Sequence, residues 1–248
     1  MNRFFVKKID QNNIAIYGDD YKHAKKVLRL VEGSNVYAVY NEVEYLAKII
    51  KDDGENLWLE MIEETKVIRE PDVEIHIYQS LPKSSKMDFI IQKNVEIGIS
   101  KLTPIISDRS LIKIKNEKKE KKKLERWTKI SEEAAKQSMR NIIPEIRDII
   151  SFDDMIEELK FKIKNENIEI LVPYENEEDC SIKDINLNKE KIAAVVGPEG
   201  GFEEEEIQRL IEIGVKPVTL GPRILRSETA ALVLSTLILH ETDNMRRK

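Results

Sequence analysis

From Val73 onward the sequence alternates short apolar runs with amphipathic stretches, and this alternation limits the fold more than any other feature. Val73, Ile75 and Ile77 take turns with Glu74, His76 and Tyr78, the two-residue period of a strand. Lys86–Ile97 reads as a helix, started by a Ser85/Asp88 capping box and closed by Gly98. Leu102–Ser107 is strand-like. Glu117–Met139 is a long helix with Leu124, Trp127, Ser131, Ala134 and Ser138 along one face. Strands at Ile168–Val172 and Ile192–Val196, a helix at Glu203–Ile213, a strand at Pro217–Leu220 and a last helix from Glu228 to about Glu241 complete the series. Strands that alternate with helices in this way predict an α/β fold, a mostly parallel sheet covered by helices.

Residues 1–70 follow another pattern. Five short strand-like runs, Arg3–Val6, Asn13–Tyr17, Asn35–Tyr40, Tyr45–Lys51 and Leu57–Ile62, are separated by turn signals, with Asp52-Asp53-Gly54 as a hairpin turn. One helix, about Asp20 to Leu30 with Asp19 as N-cap, interrupts them. This composition predicts a small β-barrel. Thr65–Asp72 reads as the linker, so the expected division is a barrel over 1–70 and an α/β domain over 73–248.

No apolar run is long enough to span a bilayer; the longest, Ala230–Leu239, is broken by Ser235 and Thr236. The N-terminal MNRFFVKK lacks the features of a signal peptide. A single cysteine, Cys180, excludes an internal disulfide framework and suits the cytoplasm. The net charge of −5 does not favour a nucleic-acid binder, but a local basic stripe is what meets phosphates. The densest basic stretch is Lys113–Lys123, with seven lysines, which reads either as a solvated helix start or as an RNA contact.

Two loops carry the candidate chemistry. The apolar run IAAVV ends at Val196 and leads at once into GPEGGF, 197–202. The run Pro217–Leu220 leads into LGPRILRSETA, 220–230, with Ser227 as a natural N-cap. Ligands of open α/β sheets bind at the C-terminal ends of strands, and glycine there lets backbone N–H groups come close. Neither loop is a dinucleotide or nucleoside-triphosphate phosphate cradle. The acidic run Glu203–Glu206 also speaks against a polyanion. If their strands are adjacent, the loops form one pocket with walls of Val196, Leu220, Ile224 and Leu225. Such a pocket suits an adenine-bearing, weakly charged cofactor.

The two loops, together with RFFV at 3–6, HAKKVLRL at 23–30, KMDFIIQKNVEIGI at 86–99 and EEAAKQSMRNIIPEI at 132–146, resemble the signature segments of the RsmE family. These are bacterial ribosomal RNA methyltransferases of the SPOUT class. The resemblance implies a PUA-like RNA-binding barrel, and a SPOUT-type knotted α/β domain that holds S-adenosylmethionine in a C-terminal trefoil knot. It also implies a homodimer that methylates N3 of a uridine in the 16S RNA of the small ribosomal subunit. The cofactor would be lined by Leu171, Val172 and Pro173, by Val196, Gly197, Pro198, Gly200 and Gly201, and by Leu220, Gly221, Arg223, Ile224, Leu225 and Thr229. RNA would meet Arg3, Lys22, His23, Lys25, Lys26, Arg29 and Arg140. The chain departs from the family pattern at Asn141 and Ile142, where further arginines are common, and at Glu203, where serine is common.

A sulfonium carries the methyl group of S-adenosylmethionine, so its transfer needs no metal. The acceptor is the harder half. N3 of uracil bears a proton that must leave, and the resulting negative charge needs a cation near a carbonyl oxygen. Arg226 is the candidate cation, and Glu199 or Glu228 the candidate carboxylate. Glu228 equally suits a first-turn position on the helix dipole. Arg223 and Arg226 equally suit a phosphate, or a pair with Glu199. The last helix, apolar nearly all round, is expected to be buried in the domain or against a second copy of the chain.

Overall fold

The computed structural model describes residues 1–8, 14–82, 86–110 and 117–246. Asn13, Ser85 of the expected capping box, and Lys113 and Lys115 of the basic run lie outside them. The chain forms two compact units: Met1–Glu70 with Lys136–Ile142, and Pro71–Ala135 with Ile143–Lys248.

The first unit contains β1 (Arg3–Phe5), β2 (Lys7–Lys8), β3 (Ile14–Tyr17), α1 (Gly18–Lys26), β4 (Asn35–Tyr40), β5 (Val43–Asp52) and β6 (Asn56–Glu64). Its sheet runs β1-β4-β5-β6-β3-β2. The two outermost strands are separated by one residue, Val6, so the two edges must meet and the sheet curls into a barrel. Phe4, Ile16, Val36, Ala38, Ile49 and Leu57 fill it. The β5–β6 turn forms as expected. Gly54 takes φ +93°, and the Asp53 carboxylate accepts from Glu55 N and Asn56 N at 3.0 and 2.7 Å. Helix α1 differs from expectation at both ends. Tyr17 is its N-cap, which puts Asp19 in the first turn, and the chain leaves the helix at Lys26 before Arg29 turns left-handed at φ +53°.

The second unit contains β7 (Glu74–Ser80), α2 (Lys86–Ile97), β8 (Lys101–Ile106), most of α3 (Glu117–Gln137), β9 (Glu145–Ile146), β10 (Ile150–Ser151), α4 (Phe152–Asn165), β11 (Ile168–Pro173), β12 (Lys191–Val196), α5 (Glu204–Glu212), β13 (Lys216–Val218) and α6 (Ser227–Glu241). All strand pairs are parallel, in the order β10-β8-β7-β12-β11-β13 with β9 beside β8. Parallel strands are covered on both faces, which is why their residues read as continuous apolar runs. Ile77, Leu102, Leu171 and Ala193 to Val195 are fully buried. Helix α4 was not anticipated. Ser151 and Asp154 form its capping box, and Phe152, Met155, Ile156 and Leu159 form its buried face. Helix α6 packs against α2 and β12. Among the described residues no helix is long and apolar enough to cross a membrane.

Candidate active site

The C-terminal ends of β11, β12 and β13 open onto a cavity of about 560 Å³. The strands leading into the two glycine loops, β12 and β13, are not adjacent: β11 lies between them. The pocket is nevertheless shared, because the segment after β11 supplies its middle wall. Tyr174, Glu175, Glu177 and Glu178 line it there, and sequence reasoning missed all four. Their segment, PYENEEDC, has no glycine and reads as a solvated loop.

The 197–202 loop owes its path to two glycines. A Cβ on Gly197 would lie 3.2 Å from the ring of Phe202, and Gly201 has φ +70°. Phe202 is buried against Phe152, with ring centroids 5.9 Å apart, and anchors the loop to the core. A second anchor is Arg109. Its guanidinium pairs with Glu203 at 2.5 and 2.6 Å and donates to Gly200 O at 2.6 Å. That pairing holds the Glu203 carboxyl below the usual carboxylate range. Glu206 is buried and accepts from Glu203 N at 2.9 Å and Asp108 N at 3.0 Å. Burial pushes its carboxyl up, against those two hydrogen bonds. The glutamates after GPEGG are therefore partly structural: one holds Arg109 and one caps two backbone amides.

The 220–230 loop is tied to the first. Arg226, not Ser227, is the N-cap of α6. Ser227 is buried, and its hydroxyl donates to Gly197 O while accepting from Gln79 Nε2 at 2.9 Å. Ser227 is instead the first residue of the helix, and its hydroxyl ties Gly197 to Gln79. A second tie is ionic. Lys86 Nζ lies 3.1 Å from Glu199 Oε1 and 3.2 Å from Glu228 Oε1.

Of the expected cofactor residues, Pro173, Val196, Gly197, Pro198, Gly201, Leu220, Gly221, Arg223, Ile224 and Leu225 line the cavity, as does Glu199. Leu171 and Val172 do not line it, since both are fully buried inside β11. Gly200 turns toward Arg109 instead. Thr229 is exposed on α6 and also lies off the cavity lining. Arg226 and Glu228 flank the cavity without lining it. Among the described residues, the exposed side chains of Arg223 and Arg226 have no ion-pair partner.

Two of the expected RNA contacts are corrected. Arg3 and Arg140 are 8% and 4% exposed, which removes them from the surface. Arg3 pairs with Glu44 at 2.7 Å and donates to Arg140 O and the Asn141 side chain. Glu70 accepts from Arg140 Nη2 at 2.6 Å and Asn141 N at 2.7 Å. Both arginines thus hold the 140–142 segment within the barrel unit. Lys22 pairs with Asp19 at 3.3 Å and Lys25 with Asp52 at 2.8 Å. His23, Lys26 and Arg29 are exposed, as are Lys119, Lys121 and Lys122 of the basic run.

Residues 69–239 match the family model of the RNA methyltransferase domain, and residues 16–62 match that of the RNA methyltransferase PUA domain. The chain is 33% identical to Ribosomal RNA small subunit methyltransferase E of Bacillus subtilis, over 99% of each chain. It is 34% identical to the protein of that name from Mesomycoplasma hyopneumoniae, over 95% of this chain and 98% of the other. A crystal structure of Ribosomal RNA small subunit methyltransferase E from Neisseria gonorrhoeae, bound to S-adenosyl methionine, superposes with a TM-score of 0.83 at 29% identity, covering 97% of each chain.

Proposed function

This chain belongs to the ribosomal RNA small subunit methyltransferase E family, and we propose that it transfers the methyl of S-adenosylmethionine to N3 of a uridine in 16S ribosomal RNA. The observation that carries this reading is the strand-end cavity. Its walls are apolar at Val196, Leu220 and Leu225, and its middle segment carries Glu175, Glu177 and Glu178. S-adenosylmethionine has an apolar adenine, two cationic groups and one carboxylate. Apolar walls fit the first, the three glutamates the second and Arg223 the third. The volume, about 560 Å³, is that of a small-molecule site.

The bound cofactor supplies an electrophilic methyl; the chain has to make uracil N3 nucleophilic. Glu199, at the edge of the cavity, is the acceptor for the N3 proton in this reading, with Glu228 behind it. Arg226, exposed and without an ion-pair partner among the described residues, is the cation that meets the carbonyl oxygen where charge develops. Arg223 shares that rim. The target base has to leave its stack to reach them.

The barrel, residues 1–70, is read as the RNA-binding part and 73–248 as the methyltransferase part. On the barrel, His23, Lys26 and Arg29 are the exposed candidates for phosphate. The C-terminal trefoil knot is the reading supported by α6, which follows the second loop, returns to pack on α2 and β12, and is held at Ser227 to Gly197. A cytoplasmic homodimer completes the reading. Leu232, Val233, Thr236 and Leu237 leave a half-covered stripe on α6, opposite its buried Leu234 and Ile238, and a second copy would cover it.

Isothermal calorimetry with S-adenosylmethionine, followed by transfer of labelled methyl to small subunits, tests the reading. Saturable binding and label in 16S RNA are expected. No heat at high cofactor concentration would leave a non-catalytic RNA-binding protein in its place.

A further inference from the structure

Lys86 is the first residue of α2, far in sequence from both carboxylates it touches. Its ammonium lies 3.1 Å from Glu199 Oε1, 3.2 Å from Glu228 Oε1 and 3.3 Å from Glu228 Oε2. Three separate elements therefore meet on one cation: the start of α2, the GPEGG loop and the first turn of α6. Of these three side chains only Glu199 lines the cavity; Lys86 and Glu228 stand behind it.

A glutamate on an open loop has several rotamers, and holding one of them costs side-chain entropy. An ammonium on one carboxylate oxygen removes that freedom. The cation also lets two carboxylates occupy one place without mutual repulsion. Hydrogen bonds that its ammonium donates to Glu199 and to Glu228 outweigh partial burial and raise the Lys86 pKa, so it remains a cation at neutral pH.

We propose that Lys86 is a positioning residue for methyl transfer: it holds the Glu199 carboxylate at the cavity edge, with Glu228 as its counter-anchor on α6. The proposal rests on the reading of Glu199 as the group that takes the uracil N3 proton. Lys86 never touches the base. It acts through Glu199, whose proton-accepting oxygen has to lie within hydrogen-bond reach of N3.

The test uses the full chain and small subunits with unmodified RNA, and compares Lys86→Met, Lys86→Gln, Lys86→Arg, Glu199→Gln and the Lys86→Gln/Glu199→Gln pair. Without the Lys86 contact on Glu199, kcat of Lys86→Met and Lys86→Gln is expected to fall about a hundredfold, the size of effect an ångström of misplacement produces. Calorimetric affinity for S-adenosylmethionine and KM for the subunit should change far less. Lys86→Arg should recover a large part of kcat. The double variant should be no slower than Glu199→Gln alone, because Lys86 has nothing left to position. Three results would overturn the proposal: unchanged kcat in Lys86→Gln, parallel loss of cofactor affinity and kcat, or effects that multiply in the double variant. Wild-type kcat in Glu199→Gln would also end it and would remove Glu199 from the reaction. Absence of N3-methyluridine with the wild-type chain would instead defeat the assigned reaction itself.

Discussion

Replacing Arg3 by methionine separates a structural arginine from an RNA-binding one. The Arg3 and Glu44 side chains are 2% and 1% exposed, so their pair is shielded from solvent and salt. Burial pulls the Arg3 guanidinium down from its ordinary value, and Glu44 opposes that shift. Without Arg3, Glu44 keeps its contacts to Arg69 at 3.2 Å and to Thr65 at 2.9 Å. The carbonyl of Arg140 loses the arginine as donor. Breaking a buried pair costs about 3–5 kcal/mol; the remaining Glu44 partners place this case near the lower end, about 3 kcal/mol. For a chain of this length that lowers the melting temperature by roughly 6–12 °C. Differential scanning calorimetry measures it, with Lys26→Met as an exposed control that should leave melting unchanged. RNA binding at several salt concentrations, well below the melting point, supplies the second half. The slope of log K against log salt should be unchanged by Arg3→Met, whereas each lost phosphate contact removes about 0.7–0.9 from it. A reduced slope with normal melting would refute the assignment of Arg3 to the barrel interior.

Two further outcomes are expected. Arg226→Ala should lower kcat while leaving affinity for S-adenosylmethionine nearly intact; equal losses in steady-state kinetics and calorimetry would make Arg226 a pocket-shaping residue. Burial pushes the Glu158 carboxyl up, but hydrogen bonds from Arg147, Tyr78 and Lys162 outweigh it and hold its pKa at about 2. Its contribution to stability is therefore full above the unfolded carboxylate range and is lost as pH falls toward 2. In urea unfolding, the stability gap between wild type and Glu158→Gln should shrink from pH 5 to pH 3; a pH-independent gap would refute it.

Local signals placed most elements and both glycine loops. The parallel sheet was legible because β11 and β12 are short apolar runs and β7 alternates with a two-residue period, and α2 because its apolar spacing fills a whole helix. The order of the strands was not legible. Nothing local to β11 says that it inserts between β12 and β13, so the condition of adjacent strands is not met although the loops share one cavity, and the acidic middle wall was missed. Helix α4 was legible in retrospect. Ser151-x-x-Asp154 followed by Phe152, Met155, Ile156 and Leu159 is a capped, one-faced helix, obscured by the lysines and glutamates that solvate its other side. The burial of Arg3 and Arg140 had no local signal. Both were expected at the RNA, and their burial depends on Glu44 and Glu70, which are brought close only by folding. Ser227 shows the same limit on a smaller scale, since its residue type suits a cap and its actual bond is to Gly197 O.

Mass spectrometric mapping of 16S RNA, after reaction of the purified chain with S-adenosylmethionine and small subunits from a strain lacking this modification, decides whether the chain methylates uridine N3. One new methyl group is expected, on N3 of one uridine, and it should form more slowly under single-turnover conditions when Arg226→Ala replaces the wild type. A methyl on ribose, on another base atom or on transfer RNA offered in the same mixture would contradict it.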